Sequence, residues 1–481
     1  MDSVLFRLKS PVDLATAIVM LGLAAGVVAG VALAAEPKYG VAIVFGIVYA
    51  GIALVNLPLG FALWVPLIFL EGIPAFNLAG KAAGAIIAIA WVGSLYARRD
   101  VVRAAIARHR RLLATLLALL VWLTLSLVWA DDLALAARDV WRWYVLLMIF
   151  VIAITTVTTE RALRWLLFAF IGGAVMSIVI GVADGSFTGT ADGAARLEGG
   201  TGDPNYLAAS IVACSIVAVS LLAIPIRLVA RWAIGAALLV LVIGLVMSGS
   251  RGGFLAAGGA IVTAFFVFKY RRAYVLAATA VIIGIGALAF LNVPDAWERM
   301  TDFNEDNGRS SLWTVGARMW EDQPVTGVGL NNFVVHSADY VREPGTLENT
   351  ELVVERPHVP HNTYLQILAE AGVVGLALFL LVCAGCVRAA MLAAREFEAR
   401  GEMGLGTLTR GIVVATASVL AASMFLSATT DKRLWLLLAL GPVMLGLARR
   451  VQSMPPAPAP RAGLRDRAQP VQPRGPSPVH P

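Results

Sequence analysis

Apolar runs of about 18 to 22 residues recur along the whole 481-residue chain, separated by short polar links. Each run is long enough to cross a bilayer as a helix. The composition agrees, since 59% hydrophobic and 14% charged residues fall outside the balance of a soluble domain. The expected fold is therefore an all-α integral membrane protein, a polytopic bundle of about 12–14 transmembrane helices. A net charge of +7 does not mark a nucleic-acid binder, because the Lys and Arg residues fall in short links between runs. Cys214, Cys383 and Cys386 all lie inside apolar runs and read as small packing residues.

The links fix the topology. Arg98-Arg99 through Arg110-Arg111 holds six arginines in fourteen residues, which makes that link cytoplasmic by the positive-inside rule. Spans are expected at 14–35 (retained, although Ala32 to Ala35 imitates a signal-peptidase site), 81–97, 112–129, 140–158, 162–183, 205–224, 230–248, 252–268 and 273–292. Three more lie at 363–388, 408–428 and 434–449, and 39–56 with 58–71 is either two short spans or a re-entrant pair. Alternation then puts Arg161/Arg164, Arg227/Arg231, Lys269/Arg271/Arg272, Arg388/Arg395/Arg400 and Arg449/Arg450 in the cytoplasm, with both termini. The chain divides into N-terminal helices (1–292), a large outer loop (293–360), C-terminal helices (361–450) and a Pro-rich cytoplasmic tail (451–481) expected to be disordered.

The same alternation collects the unexplained polar residues on the outer face. Arg251 sits in Ser248-Gly249-Ser250-Arg251-Gly252-Gly253, a break between two apolar runs where glycine admits a ligand and a helix start offers N–H groups to an anion. In the large loop, Arg309 to Trp320 reads as an amphipathic helix with Leu312, Val315, Met319 and Trp320 on one face. Ser310 or Ser311 is placed to cap it, and the helix is expected to lie along the membrane interface. The following Gly327-Val328-Gly329-Leu330-Asn331-Asn332 should be irregular and is a weak signal for phosphate binding. His358 and His361 lack a third ligand at metal spacing, so no metal site is expected.

Pro360 closes the loop, and Thr363 with Gln366 has capping-box spacing, with Asn362 as the alternative N-cap. His361 then stands just outside a helix N-terminus, where the local positive charge favours a neutral imidazole able to accept a proton. Asn362, Gln366 and Glu370 make one polar stripe on an otherwise apolar helix. A carboxylate there points to function, with packing against an arginine as the alternative.

Three blocks now resemble the bacterial O-antigen ligase and polymerase superfamily. They are Ser250-Arg251-Gly252-Gly253; Arg309-x-x-Leu312-Trp313 with Gly327-Val328-Gly329-x-x-x-Phe333; and His361-Asn362-x-Tyr364-Leu365-x-x-x-Ala369-Glu370-x-Gly372. Gly202-Asp203-Pro204-Asn205-Tyr206 resembles a further landmark. The resemblance implies a GT-C-type glycosyltransferase of the bacterial inner membrane with its active site on the periplasmic face. Such an enzyme takes a glycan from undecaprenyl pyrophosphate and passes it to an acceptor hydroxyl, with no metal or other cofactor. The acceptor implied first is lipid A–core; the alternatives are a polymerase or a protein O-oligosaccharyltransferase, and more distantly a transporter. His361 matches the family's essential histidine, and Arg251 and Arg309 its outer arginines. Arg318, Asn205, Glu370 and Asp431 join them as substrate-binding candidates, Asp431 by its place in the last outer turn.

Overall fold

The structure, a computed structural model, describes residues 37–188, 195–268, 309–341 and 359–450. The spans expected at 14–35 and 273–292, His358 and the tail lie outside the described residues. Within them the chain is helical apart from one antiparallel pair of two-residue strands, Phe187–Thr188 (β1) and Arg196–Leu197 (β2). The helices are Pro37–Val55 (α1), Leu57–Trp64 (α2, prolonged as a 3-10 turn to Phe69), Pro74–Ser94 (α3), Arg99–Arg108 (α4), Arg110–Leu125 (α5), Leu133–Thr156 (α6), Glu160–Ala183 (α7) and Pro204–Leu221 (α8). They continue with Leu228–Ser248 (α9), Arg251–Val267 (α10), Arg309–Asp322 (α11), Phe333–Val341 (α12), Thr363–Ala399 (α13), Met403–Ala422 (α14) and Lys432–Arg450 (α15). Eight of the described helices are long and apolar enough to cross a membrane, so this is an all-α polytopic membrane protein.

Short polar side chains start many of these helices. Asp132 accepts from Leu135 N, Thr159 from Ala162 N, and Asp203 from Asn205 and Tyr206 N, with Pro204 at the first helical position. At 39–71 the two apolar helices α1 and α2 pack against each other around Asn56, which caps α2 through Leu59 N. Tyr49 donates to Gly60 O across that hairpin.

The core is built around α15. Every residue from Leu434 to Leu445 is buried, as expected of a helix that is apolar all round. Trp435 packs edge-on against Trp143 of α6 and Phe379 of α13, with centroids 5.4 and 6.4 Å apart.

Contacts at the helix termini define two unlike ends. At one end Arg98 donates to Thr155 O, Arg164 to Pro225 O, Arg410 to Val267 O, and Arg449 pairs with Glu396. We call this the basic end; the arginine-rich link lies here and is itself a helix, α4. The other, polar end joins Gly72 to Gly200, Asp132 to Asn332, Asn205 to Ser250, Tyr206 to Ser427 and Trp313 to Pro360.

The longest helix, α13, is not continuous. Gly372 has φ 67° and ψ −172°, so nine residues from Thr363 to Ala371 form a separate short helix above the break. Here the sequence reading needs correction at both helix starts. Asn362, not a Thr363–Gln366 box, caps α13, accepting from Tyr364 and Leu365 N at 3.1 Å each. Thr363 is already helical, and its hydroxyl is taken by Leu426 O and Ala428 N instead. Likewise α11 begins at Arg309, which puts Ser310 and Ser311 inside it rather than at its cap.

Candidate active site at the polar end

The loop between α14 and α15 is the common floor of this end. Ser423 O accepts from Thr363 N, Leu426 O from the Thr363 hydroxyl, and Ser427 O from the Tyr206 hydroxyl at 2.6 Å. Leu426 and Ala428 also close an apolar cluster with Ala209, Val212, Ala256 and Ala422, which ties α8 and α10 to the same loop. Three helix starts therefore converge on one short segment, and the residues singled out in the sequence stand at those starts.

His361 precedes the Asn362 cap with φ 47°, a left-handed conformation that a β-substituted residue adopts at a cost of about 1–3 kcal/mol. It is held there from both sides. Trp313 Nε1 donates to Pro360 O at 2.9 Å, and the Trp313 ring packs on Phe425 of the floor loop at 5.7 Å. Trp313 is one turn after Arg309, so the same helix that latches the His361 backbone presents Arg309 at its start.

Arg251 opens α10 behind its N-cap Ser250, and Gly249 before it is left-handed at φ 52°. The Ser250 hydroxyl donates to Asn205 Oδ1 at 2.7 Å and accepts from Gly253 N. Arg196, from β2, donates to the same Asn205 oxygen at 3.1 Å and to Ser248 O at 3.1 Å. Asn205 thus locks the break that carries Arg251. Asp431 takes a bidentate grip on Arg433, Nε to Oδ1 at 2.9 Å and Nη2 to Oδ2 at 2.8 Å. Arg433 lies over the rings of Tyr206 and Phe69, and neighbouring Lys432 pairs with Glu71.

Two candidates lie apart from this rim. Glu370 is 2% exposed; its Oε1 accepts from Gln366 Nε2 at 3.2 Å and its Oε2 from Asn331 N at 3.0 Å. The polar stripe is real, yet it fastens a neighbouring loop under the short helix. Arg318 donates to Tyr340 O and joins α11 to α12.

The Gly-rich loop is no phosphate cradle. Val328 N donates to Ala369 O and Gly329 N to Glu370 O, capturing carbonyls that the Gly372 break leaves without helical partners. Ala371 O is taken by Trp122 Nε1 at 2.8 Å, and Val373 N returns to Pro324 O. Gly327 is required because a Cβ would meet the Glu370 backbone, and Gly372 because a Cβ would meet Val325. Nor does α11 rest on a membrane surface through its apolar face. Leu312, Val315 and Met319 are buried with Phe333 and Ala369, so protein covers that face. Among the described residues no three His, Cys, Asp or Glu side chains cluster as a metal site.

The sequence places Arg433, Tyr206 and Trp313 at this end but gives none of them a role, because the contacts that define those roles reach across the chain.

A bundle of apolar helices with a polar, arginine-bearing rim at one end defines a polytopic membrane protein with a site at its surface. Residues 234–380, just under a third of the chain, match the family model described as O-antigen ligase. The matched segment contains Arg251, Arg309, Arg318, His361 and Glu370, and leaves Asn205 and Asp431 outside. No curated protein matches the chain.

Proposed function

We propose that the protein is an O-antigen ligase-type glycosyltransferase of the inner membrane, moving a glycan from undecaprenyl pyrophosphate to a hydroxyl of lipid A–core. The observation that carries this reading is that α10, α11 and α13 all reach the loop between α14 and α15, through Ala256, Trp313 and Thr363, with Arg251, Arg309 and His361 at or beside their starts. The positive-inside rule puts the basic end in the cytoplasm, and so gives the rim to the periplasm.

In the proposed step an acceptor hydroxyl attacks the anomeric carbon as its proton passes to the His361 imidazole. The new C–O bond forms while the bond to the pyrophosphate oxygen breaks, and that oxygen leaves with the electron pair. Attack from the face opposite the leaving group inverts the anomeric centre. Arg251 and Arg309 stabilise the charge developing on the pyrophosphate, a role for which a planar, permanently charged fork suits. No step in this scheme calls for a metal.

The test is transfer in membranes carrying both donor and acceptor. Arg251→Lys and Arg309→Lys keep charge but lose the fork, so transfer should fall at least about tenfold while expression persists. His361→Ala should abolish it, and EDTA should leave the wild type unchanged. Normal transfer by both Lys variants would remove the pyrophosphate assignment. If a disrupted strain makes only short glycans, rather than long glycan left on its lipid carrier, the protein is a polymerase.

A further inference from the structure

Two arginines toward the polar end take no part in the rim described above. Arg138 and Arg142 lie one turn apart on α6, about 6 Å along its axis, and both are exposed. Arg142 donates one nitrogen to buried Asp139 at 2.9 Å and keeps 48% of its side chain exposed, so one carboxylate stands against two guanidinium groups. Arg142 comes 13 residues before Thr155, whose carbonyl Arg98 holds at the basic end, a distance of about 20 Å along the helix. A hydrocarbon core of roughly 30 Å measured from there reaches past both arginines. Exposed cations at that depth are costly and point to a function.

The face that carries them is open only in its outer half. Trp141 is 69% exposed and Tyr144 40%, while no residue of α6 from Val145 to Thr156 is exposed. Tyr144 shares a hydrogen bond with Thr124 of α5 at 3.2 Å, and Val121 and Leu125 of α5 are exposed as well. The outer halves of α5 and α6 thus form an apolar wall headed by two arginines. Asn331 ties this wall to the site, with its N–H on Glu370 of the short helix at 3.0 Å and its Nδ2 on Leu135 O of α6 at 3.4 Å. Arg251 comes from another side, since α10 packs on α8 and α14, whereas α6 packs on α5 and α15.

We propose that this wall seats the acceptor glycolipid, its acyl chains against Val121, Leu125 and Trp141 and a sugar phosphate held by Arg138 and Arg142. The inference rests on the transfer reading above, in which Arg251 and Arg309 hold the donor's pyrophosphate and the acceptor is the other phosphate-bearing lipid. Long arginine side chains reach from such depth to the headgroup level, and a guanidinium fork matches phosphate oxygens in geometry. Asp139 cancels one of the two charges and leaves the other for the anion.

The full-length protein in detergent is titrated with bisphosphorylated lipid A, dephosphorylated lipid A or phosphatidylglycerol, with bound species counted by native mass spectrometry. Bisphosphorylated lipid A should bind in preference to both others. Arg138→Gln, an exposed change that strands no buried group, should weaken it roughly fivefold, about 1 kcal/mol for one arginine near the surface. Arg227→Gln with Arg231→Gln, exposed at the basic end, should leave it unchanged. Unchanged binding by Arg138→Gln, or an equal loss in the Arg227/Arg231 variant, would overturn the seat. Phosphatidylglycerol or dephosphorylated lipid A bound as tightly as the bisphosphorylated form would overturn the assignment of a phosphorylated glycolipid. Binding is read here without turnover, so a failed transfer reading appears in the membrane assay and a failed seat in this one.

Discussion

His361 carries two separable properties, a titratable ring and a left-handed backbone. Asparagine tolerates that backbone conformation better than most residues but cannot act as a base near neutral pH. His361→Asn should therefore preserve expression and thermal stability in detergent while abolishing transfer. If His361→Asn transfers at the wild-type rate, the ring is not the base and its neighbours must be searched. Asp431 belongs to a different category. Its carboxylate holds Arg433, whose side chain is only 12% exposed, so removing it strands a buried cation. Asp431→Ala should lower activity and folded yield together, by contrast with His361→Asn. At this scale the sequence was informative about residue types at helix starts. It did not show that Arg433 is buried, because the partners that bury it come from 69, 206 and 431.

Among elements, the short helix Thr363–Ala371 depends on contacts distant in sequence. Its start was legible, since Pro360, Asn362 and the apolar run mark it locally. Its end was not, because the donors to the carbonyls of the broken turn sit on the Gly327–Gly329 loop and on Trp122. A Gly-rich loop carries the same local signal whether it cradles a ligand or another backbone. Glu370 binds the two elements, and both of its oxygens face donors, Gln366 Nε2 and Asn331 N. Glu370→Ala leaves both of those buried donors without an acceptor, which costs about 1–3 kcal/mol. We expect a lower unfolding temperature for Glu370→Ala and a loss of transfer smaller than that of His361→Asn. Unchanged stability would show that the clamp is dispensable.

The whole molecule has a built-in acid sensitivity at the end opposite the site. His109 titrates near 4 when folded and near 6.5 when exposed, so the unfolded chain binds more protons between those values. Stability should therefore fall as pH drops from 6.5 toward 4, at no more than roughly 1.4 kcal/mol for each pH step of one. Thermal inactivation in detergent at pH 7 and pH 5 checks this, and His109→Gln should flatten the difference. The two-ended architecture was legible from arginine placement because charge and apolar length act locally along the sequence. How the ends are assembled was not, since a loop such as 423–431 gains its meaning from Tyr206, Trp313 and Thr363, all far away in the chain.

The broken helix also acts as a ruler. Thirty-seven residues of α-helix span about 55 Å, far more than the roughly 30 Å of a hydrocarbon core. Below Gly372 the apolar stretch reaches Val387 before Arg388 interrupts it, only about 22 Å of helix, so a hydrocarbon core of roughly 30 Å also takes in the lower part of the short helix, up to about Leu368. At the level of the break Trp122 and Trp129 pack 5.7 Å apart. His361 then stands about 10 Å above that boundary, and on the proposed reading a substrate anchored by its tail need not be lifted from the membrane to reach it.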